Sequence, residues 1–227
     1  LTEQYCDESP TGTYNAQARD GSGYTRGGYS NHIVTDERFV YSISDQLDLP
    51  AIAPLLCAGI TTYSPLKYAG VTRGTRVAVA GLGGLGHMGV KFAVAFGAEV
   101  TLLSHTPAKE ADAKRLGAHH FILSSNPDEL KKHHSKFDVV LNCISARHDY
   151  KTYLDLLALN GKMLIVGLPP ENPTLDPFAM IKNRRSIIGS MIGGTKETQE
   201  MLDFCAAHQI VSDIEVIPIQ KIDEAYD

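Results

Sequence analysis

Three glycines at Gly81, Gly83 and Gly86 follow the apolar run RVAVA and open an apolar helical pattern. A G-x-G-x-x-G spacing between a strand and a helix is typical of loops that bind the diphosphate of a dinucleotide. The first glycine permits the tight turn, the second lets the backbone approach the diphosphate, and the third lets the helix pack closely on the strand. Free N–H groups at the helix N-terminus favour an anion there. The sequence therefore predicts a diphosphate-binding loop of Gly81, Leu82, Gly83, Gly84, Leu85 and Gly86, with a ligand-free glycine turn as the alternative.

The residues after the second apolar run distinguish between the two nicotinamide dinucleotides. NAD is held by an acidic residue about 20 residues beyond the glycines, which accepts hydrogen bonds from the adenine ribose. That place holds Ser104, His105 and Thr106, and the nearest downstream acid, Glu110, lies in a helical pattern beside Lys109. Without a carboxylate a 2′-phosphate is not repelled, and hydroxyl and ammonium donors can bind it. We therefore predict NADP(H) as the cofactor, with an ordinary polar loop as the alternative.

The composition is that of a globular protein and excludes several function classes. The chain has 227 residues, of which 43% are hydrophobic, and its net charge of -5 argues against a sequence-independent grip on nucleic acid. No apolar run reaches about 18 residues and no signal segment begins the chain, so no membrane partner is predicted. Four widely spaced cysteines without a C-x-x-C pair favour reduced thiols in a cytoplasmic protein.

Apolar runs alternate with helical patterns from Arg76 onwards. The runs predict six strands, at 76–81, 99–104, 119–124, 137–143, 162–168 and 186–192. Because a helical pattern separates each pair, the sequence indicates an α/β protein with a doubly wound parallel sheet of the Rossmann type. A further amphipathic helix is predicted over 195–210 and another strand over 214–219.

The region before the sheet has less regular signals. Residues 1–30 are rich in Gly, Ser, Thr, Tyr and Asp and predict loops. Alternation over 29–44 predicts two short strands with a turn at Asp36-Glu37. The mostly apolar stretch 49–70, with a proline near its start, predicts a helix.

Three longer stretches resemble one enzyme family. They are APLLCAGITTYSPL at 53–66, GLGGLGHMGVK at 81–91 and GSMIGGTKETQEMLDF at 189–204. Together they resemble the zinc-dependent medium-chain alcohol dehydrogenases, and within these the NADP-dependent branch that is similar to cinnamyl alcohol dehydrogenases. The resemblance extends from Tyr5 to Tyr226. It implies an oxidoreductase that interconverts small-molecule primary alcohols and aldehydes by hydride transfer with NADP(H), assisted by zinc.

The resemblance also implies a division of the chain. Residues 1–57 would be the C-terminal part of a GroES-like, mainly-β catalytic domain, 58–194 the Rossmann domain that binds NADP, and 195–227 a return segment of the catalytic domain. The chain begins with Leu1 rather than Met and stops at Asp227 within a helical pattern. We therefore expect it to be truncated at both ends, and the sequence does not name the alcohol.

Two cysteines match metal-binding positions of the family. Cys57 in PLLCAG matches a ligand of the catalytic zinc, which takes three protein ligands and leaves a position for the substrate oxygen. On composition alone, a cysteine in an apolar run is more often a small buried side chain. Cys6 in EQYCD resembles one ligand of a structural zinc lobe whose other three would precede Leu1, so we expect a free thiol here. The pairs His119-His120 and His133-His134 lack ligand spacing and predict surface or strand-end residues.

The loops after the last three strands complete the predicted cofactor site. Ligands of open α/β sheets gather at the carboxyl ends of the strands, and the resemblance places the nicotinamide beside the loop after the fourth strand. The candidates are Ile144, Ser145, Ala146, Val166, Gly167, Leu168, Ser190, Met191 and Ile192. Each could instead be a plain strand-to-loop junction. The segment 186–194 also resembles the family's dimer edge, and because an apolar edge strand needs covering, we predict a homodimer.

Three alternatives stay open. A zinc-free reductase of the same superfamily would reduce enones or quinones with the same cofactor domain, although Cys57 and the Cys6 region argue against it. A truncated cofactor-binding module would have no activity, since the family's other zinc ligands and its proton-relay residues would precede Leu1. The third alternative is a portion of an intact enzyme.

Overall fold

A six-stranded sheet lies at the centre of the structure, a computed structural model that describes residues 3–5, 7 and 10–226. The strands are β1 Arg76–Ala80, β2 Glu99–Ser104, β3 His120–Leu123, β4 Phe137–Asn142, β5 Leu157–Ile165 and β6 Ser186–Gly189. Their order is β3-β2-β1-β4-β5-β6, and each neighbouring pair is parallel. This is the Rossmann order. The predicted six-stranded, doubly wound parallel sheet is confirmed.

Helices connect the strands and frame the sheet. They are α1 Leu49–Ile52, α2 Ala58–Tyr68, α3 Gly84–Ala95, α4 Lys109–Arg115, α5 Pro127–Lys132, α6 Tyr150–Leu156, α7 Pro177–Ile181, α8 Thr195–His208 and α9 Ile222–Tyr226. Side-chain caps fix where three of them begin. Asn126, Asp149 and Asp176 accept backbone N–H groups at the starts of α5, α6 and α7. Such caps satisfy donors that the helix itself cannot pair.

Alternate residues of each strand face two separate hydrophobic cores. In β1, Val77 and Val79 belong to one core, and Ala78 and Ala80 to the other. The first core contains buried residues of α2, α3 and α8, and the second contains buried residues of α5, α6 and α7. Burial on both faces explains why the strands appear in the sequence as continuous apolar runs rather than alternating ones.

The strands predicted for two regions outside the sheet are wrong. The described residues 29–44 form no strand and contain a 3-10 helix, Glu37–Phe39, which begins where Asp36 accepts the N–H of Arg38 at 3.0 Å. Residues 214–219 form no strand either. Within the described residues neither stretch pairs with a strand, and apolar alternation alone does not supply the partner that its N–H and C=O groups need.

The junction between α6 and β5 also differs from the prediction. The helix between the fourth and fifth strands ends at Leu156, and β5 already begins at Leu157, five residues before the strand predicted over 162–168. The first part of β5 pairs irregularly, with a register shift opposite Phe137 and Val139. Irregular pairing of this kind gives no period-two signal, so the sequence favoured a longer helix.

The apolar stretch predicted as one helix over 49–70 is divided. A 3-10 turn, Ala53–Leu56, separates α1 from α2, and Cys57 between them has φ −124° and ψ −78°, outside the helical region. The axes of the segments Leu49–Leu56 and Ala58–Tyr68 differ in direction by 56°. Within the described residues no single helix is long and apolar enough to cross a membrane, and this bent pair meets that test only when its parts are taken together.

One buried cation joins the last two strands to their helices. The side chain of Arg185, just before β6, is 2% exposed. Its guanidinium donates to the carbonyl oxygens of Leu157 at 2.9 Å and Ala179 at 2.8 Å, and lies 3.3 Å from the carboxylate of Asp155. A charge is tolerated inside a protein only where it is paired and hydrogen-bonded. This residue therefore links α6, β5 and α7.

Arg185→Ala should lower the free energy of unfolding by about 3 kcal/mol or more, because it leaves buried acceptors unpaired. Urea denaturation followed by circular dichroism measures the change. Arg38→Ala is the matched control, since its ion pair with Asp36 is exposed to solvent and contributes little. Equal effects of the two substitutions would contradict the structural role of Arg185.

Candidate cofactor site

The predicted site loops lie together at the edge of the sheet formed by the carboxyl ends of the strands, because all six strands run in the same direction. Backbone hydrogen bonds connect them. The N–H of Gly81 donates to Leu103 at 2.9 Å, that of Cys143 to Ala80 at 3.0 Å, and that of Ser190 to Ile165 at 3.2 Å. The strand order reverses between β1 and β4, and the crevice beyond that point is where open α/β sheets bind ligands. The structure thus brings the predicted residues to one edge, and their binding roles stay predictions.

The glycine loop has two glycines that shape it and two that leave it open. Gly81 has φ +90°, in the left-handed region that favours glycine. A Cβ on Gly86 would lie 1.9 Å from the carbonyl oxygen of Gly81, so α3 can approach β1 this closely only without a side chain. Gly83 and Gly84 have no such neighbour within 4 Å. Gly83 caps α3 without a side-chain hydrogen bond, which leaves the first N–H groups of the helix without a side-chain acceptor.

Gly86→Ala should destabilise the fold by about 1–3 kcal/mol, because the added methyl group overlaps a carbonyl oxygen and the backbone must move. Gly84→Ala is the matched control in the same helical turn, where the methyl group enters open space. It should leave stability unchanged or raise it slightly. Thermal unfolding of the two variants compares them, and a Gly86→Ala variant as stable as Gly84→Ala would refute the packing argument.

The end of β2 carries hydroxyl groups where an NAD site has a carboxylate. The side chain of Ser104 is buried, and its oxygen accepts the N–H of Thr106 at 3.2 Å, so its own hydroxyl proton is left to donate. His105 is exposed, and Thr106 and Lys109 are half-buried. The ammonium group of Lys109 lies 3.6 Å from the carboxylate of Asp112, in a solvent-exposed ion pair. Such pairs contribute about 0–1 kcal/mol, so the lysine can exchange partners at little cost.

The loops after β4 and β5 interlock with the glycine loop. The side chain of Ile144 reaches within 3.2 Å of the place where a Cβ on Gly81 would lie. A Cβ on Gly167 would lie 2.4 Å from the carbonyl oxygen of Ile144. Close packing therefore accounts for glycine at both positions. Burial raises the pKa of the neighbouring Cys143 thiol to about 12, which favours the protonated thiol at neutral pH.

Exposed side chains surround the same edge. Leu168, Met191 and Ile192 are large apolar residues that are 86%, 49% and 43% exposed. Apolar groups beside a cofactor would keep water away from the reacting atoms. An interface or a covering segment would bury these apolar side chains.

Cys57 precedes α2, whose first turn packs against the loop after β6. Ile60 lies so close to Gly193 that a Cβ there would approach its side chain to 2.6 Å. Cys57 itself is exposed, unlike the small buried cysteine that composition alone favours. A catalytic zinc takes three protein ligands. Among residues 3–5, 7 and 10–226, no three histidine, cysteine or acidic side chains form such a group, so these residues do not build a zinc site on their own. Cys6 lies outside the described residues.

The paired histidines have structural contacts. Nδ1 of His119 accepts the N–H of Val100 at 3.0 Å, and His120 lies 2.9 Å from the carboxylate of Glu99. The ring of His133 stacks on Phe137 with centroids 6.4 Å apart.

His87, which the sequence analysis missed, ties the glycine loop to the segment after α8. Its Nδ1 lies 3.4 Å from the carbonyl oxygen of Gly83, and its Nε2 lies 3.3 Å from the N–H of Asp213. A neutral ring that donates from Nδ1 and accepts at Nε2 satisfies both contacts. Burial lowers the pKa of His87. The side chains of Lys91 and Arg115 each donate a hydrogen bond to Asp213 at 2.6 Å and lower the pKa of its carboxyl to about 2, with Lys91 having the larger effect. A histidine in the first helical turn after the glycines was the available signal.

The contact of His87 should make stability depend on pH. Its pKa is lowered in the folded state, so the unfolded chain binds more protons as pH falls below about 6.5, and the free energy of unfolding then decreases. Above that pH the contribution is fully present. His87→Asn should flatten the dependence between about pH 7.5 and about pH 5.5, measured by urea denaturation. His105→Asn, which removes an exposed histidine, is the control, and an unchanged slope in His87→Asn would contradict the assignment.

A doubly wound parallel sheet whose first strand leads through a glycine loop into a helix defines a Rossmann-type α/β protein. Residues 84–207 match the family of zinc-binding dehydrogenases, which is more than half of the chain. The chain belongs to this family, and the resemblance to zinc-dependent medium-chain alcohol dehydrogenases is confirmed.

Two curated relatives and one solved structure are similar to nearly the whole of this chain. NADP-dependent alcohol dehydrogenase C 1 of Mycolicibacterium smegmatis (strain ATCC 700084 / mc(2)155) is 50% identical over 226 residues, 99% of this chain and 64% of that protein. Aldehyde reductase YahK of Escherichia coli (strain K12) is 50% identical over 228 residues, again 99% of this chain and 65% of the relative. The crystal structure of CAD from Helicobacter pylori complexed with NADP(H) is 46% identical with a TM-score of 0.86, over 94% of this chain and 61% of that one. The chain thus spans slightly less than two thirds of these relatives.

Proposed function

We propose that this chain is the cofactor-binding part of an NADP(H)-dependent oxidoreductase that interconverts primary alcohols and aldehydes. One observation carries the proposal: an open glycine loop stands beside a β2 end that has Ser104 in place of a carboxylate. The names of the two relatives and the NADP(H) complex of the solved structure support it.

Different residues of the chain would bind different parts of the cofactor. The N–H groups at the start of α3 would bind the diphosphate, since no side chain caps them. Ser104, Thr106 and Lys109, with His105 beside them, would bind the 2′-phosphate through hydroxyl and ammonium donors. The loops after β4, β5 and β6 would orient the nicotinamide and exclude water. When bound, NADPH supplies the hydride that reduces an aldehyde to an alcohol, and NADP⁺ accepts it in the reverse direction.

By the resemblance, Cys57 matches a position that holds the catalytic zinc in the family. We propose that it is one ligand of a catalytic zinc in a longer protein, and that Cys6 belongs to a structural zinc lobe there. Because the described residues do not complete a ligand set, no step of the reaction is assigned to zinc from this chain. We also propose that the chain divides into 1–57, 58–194 and 195–227, as the resemblance implies, and that the protein is cytoplasmic.

A homodimer through 186–194 is part of the proposal. Within the described residues, the strand β6 is at the edge of the sheet and pairs with β5 alone. Ile187 and Ile188 in β6 are half-buried, and Met191 and Ile192 after it are exposed. An edge strand with apolar neighbours favours pairing with a second copy of itself.

Calorimetric titration of this chain with NADPH and with NADH tests the cofactor assignment. We expect NADPH to bind at least about tenfold more tightly, which corresponds to about 1.4 kcal/mol. Ser104→Asp should remove that preference, because it places a carboxylate against the 2′-phosphate.

Thr72→Asp is the matched control for charge. It adds the same carboxylate at an exposed position in the turn before β1, at the opposite edge of the sheet. It should leave both affinities unchanged. Equal binding of the two cofactors by the unsubstituted chain would refute the assignment to NADP(H), and no binding of either by a folded chain would refute the cofactor-binding role.

A further inference from the structure

A closed set of hydrogen bonds fixes the end of β4. Asn142 is 1% exposed, and its Oδ1 accepts the N–H of Ile144 at 3.2 Å. Its Nδ2 lies 2.8 Å from Nε2 of His148. Nδ1 of that histidine lies 2.7 Å from the carbonyl oxygen of Ala146. The imidazole ring of His148 thus connects the loop after β4 back to the end of that strand.

The protonation of this set follows from its geometry. The N–H of Ile144 can only donate, so the oxygen of the Asn142 amide faces it and the NH₂ group faces His148. Nε2 of the histidine therefore accepts, and its single proton lies on Nδ1 and is donated to the Ala146 carbonyl. Each polar atom has its complementary partner, and the ring is neutral in one tautomer.

The imidazole is also held by its surroundings. Its ring centroid lies 5.0 Å from that of Tyr150 and 5.4 Å from that of Tyr153, the second at an edge-on angle of 86°. Both tyrosines are buried on α6, and that helix is fixed at its start by the Asp149 cap. The ring is therefore tied to α6 on one side and to β4 on the other.

The loop that this ring closes is the one that faces the nicotinamide in the proposed function. Ile144 packs against Gly81 on one side and against Gly167 on the other, so a displaced loop would disturb the glycine loop or the end of β5. The end of β2 lies on the other side of β1 and has contacts of its own, such as the N–H of Thr106 to Ser104. A disturbance at His148 should therefore reach the nicotinamide end and spare the adenosine end.

We propose that His148, acting through Asn142, is a positioning residue that sets the Ile144–Ala146 loop for the nicotinamide half of the cofactor. This inference rests on the proposed function. It requires no contact between the histidine and the cofactor, since the effect passes through the Asn142 amide and the Ala146 carbonyl.

The test compares two ligands that share the adenosine end. Adenosine 2′,5′-bisphosphate carries the 2′-phosphate but no nicotinamide, whereas NADPH carries both. His148→Ala should weaken NADPH binding by about tenfold and leave bisphosphate binding within about twofold, both measured by calorimetry. The fluorescence of bound NADPH should also shift towards that of the free cofactor. His134→Ala, which removes an exposed histidine before β4, is the control and should change neither affinity.

Two conservative variants separate positioning from general loss of structure. His148→Gln can still accept from the Asn142 amide, whereas His148→Asn retains only a donor for the Ala146 carbonyl. The amide of Asn142 is buried, so leaving it unpaired costs more free energy than leaving the Ala146 carbonyl unpaired. His148→Gln should therefore recover more NADPH affinity than His148→Asn. This comparison carries the test if the alanine variant does not fold.

The outcomes distinguish this inference from the proposed function. Equal losses for both ligands, or no loss for either, would overturn the positioning role while the proposed function stands. An unsubstituted chain that binds the bisphosphate but not NADPH, or that binds neither, would overturn the proposed function and this inference with it.

Discussion

The contact between α3 and the turn after β1 is the constraint on which the rest of the site depends. Only a glycine at position 86 allows the helix to lie against the Gly81 carbonyl, and that approach carries Met88, Val90 and Phe92 into the first core. The same approach points the open start of α3 at the edge of the sheet where the strand order reverses. Core packing and an exposed row of N–H donors therefore have one cause.

Glycines also set the spacing between the loops at this edge. Ile144 lies between Gly81 and Gly167, and at either glycine a side chain would meet it at close range. Loops packed this closely cannot move independently, which gives a cofactor a preformed edge rather than flexible segments. The hydrogen bonds of Asn142 and His148 have the same effect, because each polar atom of the two side chains has its own partner and no alternative orientation satisfies them all.

The sequence predicted the sheet well because its strands are buried on both faces and are separated by helices. It failed where a pattern needed a distant partner. Alternation over 29–44 and 214–219 suggested strands, but pairing is a property of two segments and no described neighbour provides it. The boundary between α6 and β5 was misplaced because an irregular register has no periodic signal.

The site was predictable in part for the same reason. The glycine loop and the serine at the end of β2 are local signals, readable within one strand–turn–helix unit. His87 was missed because its partner Asp213 lies far along the chain, and chain folding alone brings them together. Asn142 and His148 are close in sequence, yet their roles depend on which amide atom faces the N–H of Ile144, and no spacing rule states that.

The charge of the chain sharpens the argument for the 2′-phosphate. A net charge of -5 provides no general attraction for a polyanionic cofactor, and at physiological salt distant charges are screened beyond about 8 Å. In the proposed function, binding must then come from groups at the site: the N–H donors of α3 and the side chains after β2. Lys109 already has a carboxylate partner in Asp112, so it adds less than an unpaired lysine would. A carboxylate at position 104 would repel the phosphate at short range, where salt screens little. In the proposed function, a serine rather than a carboxylate at this position therefore affects the choice between NADP and NAD more than any single donor nearby.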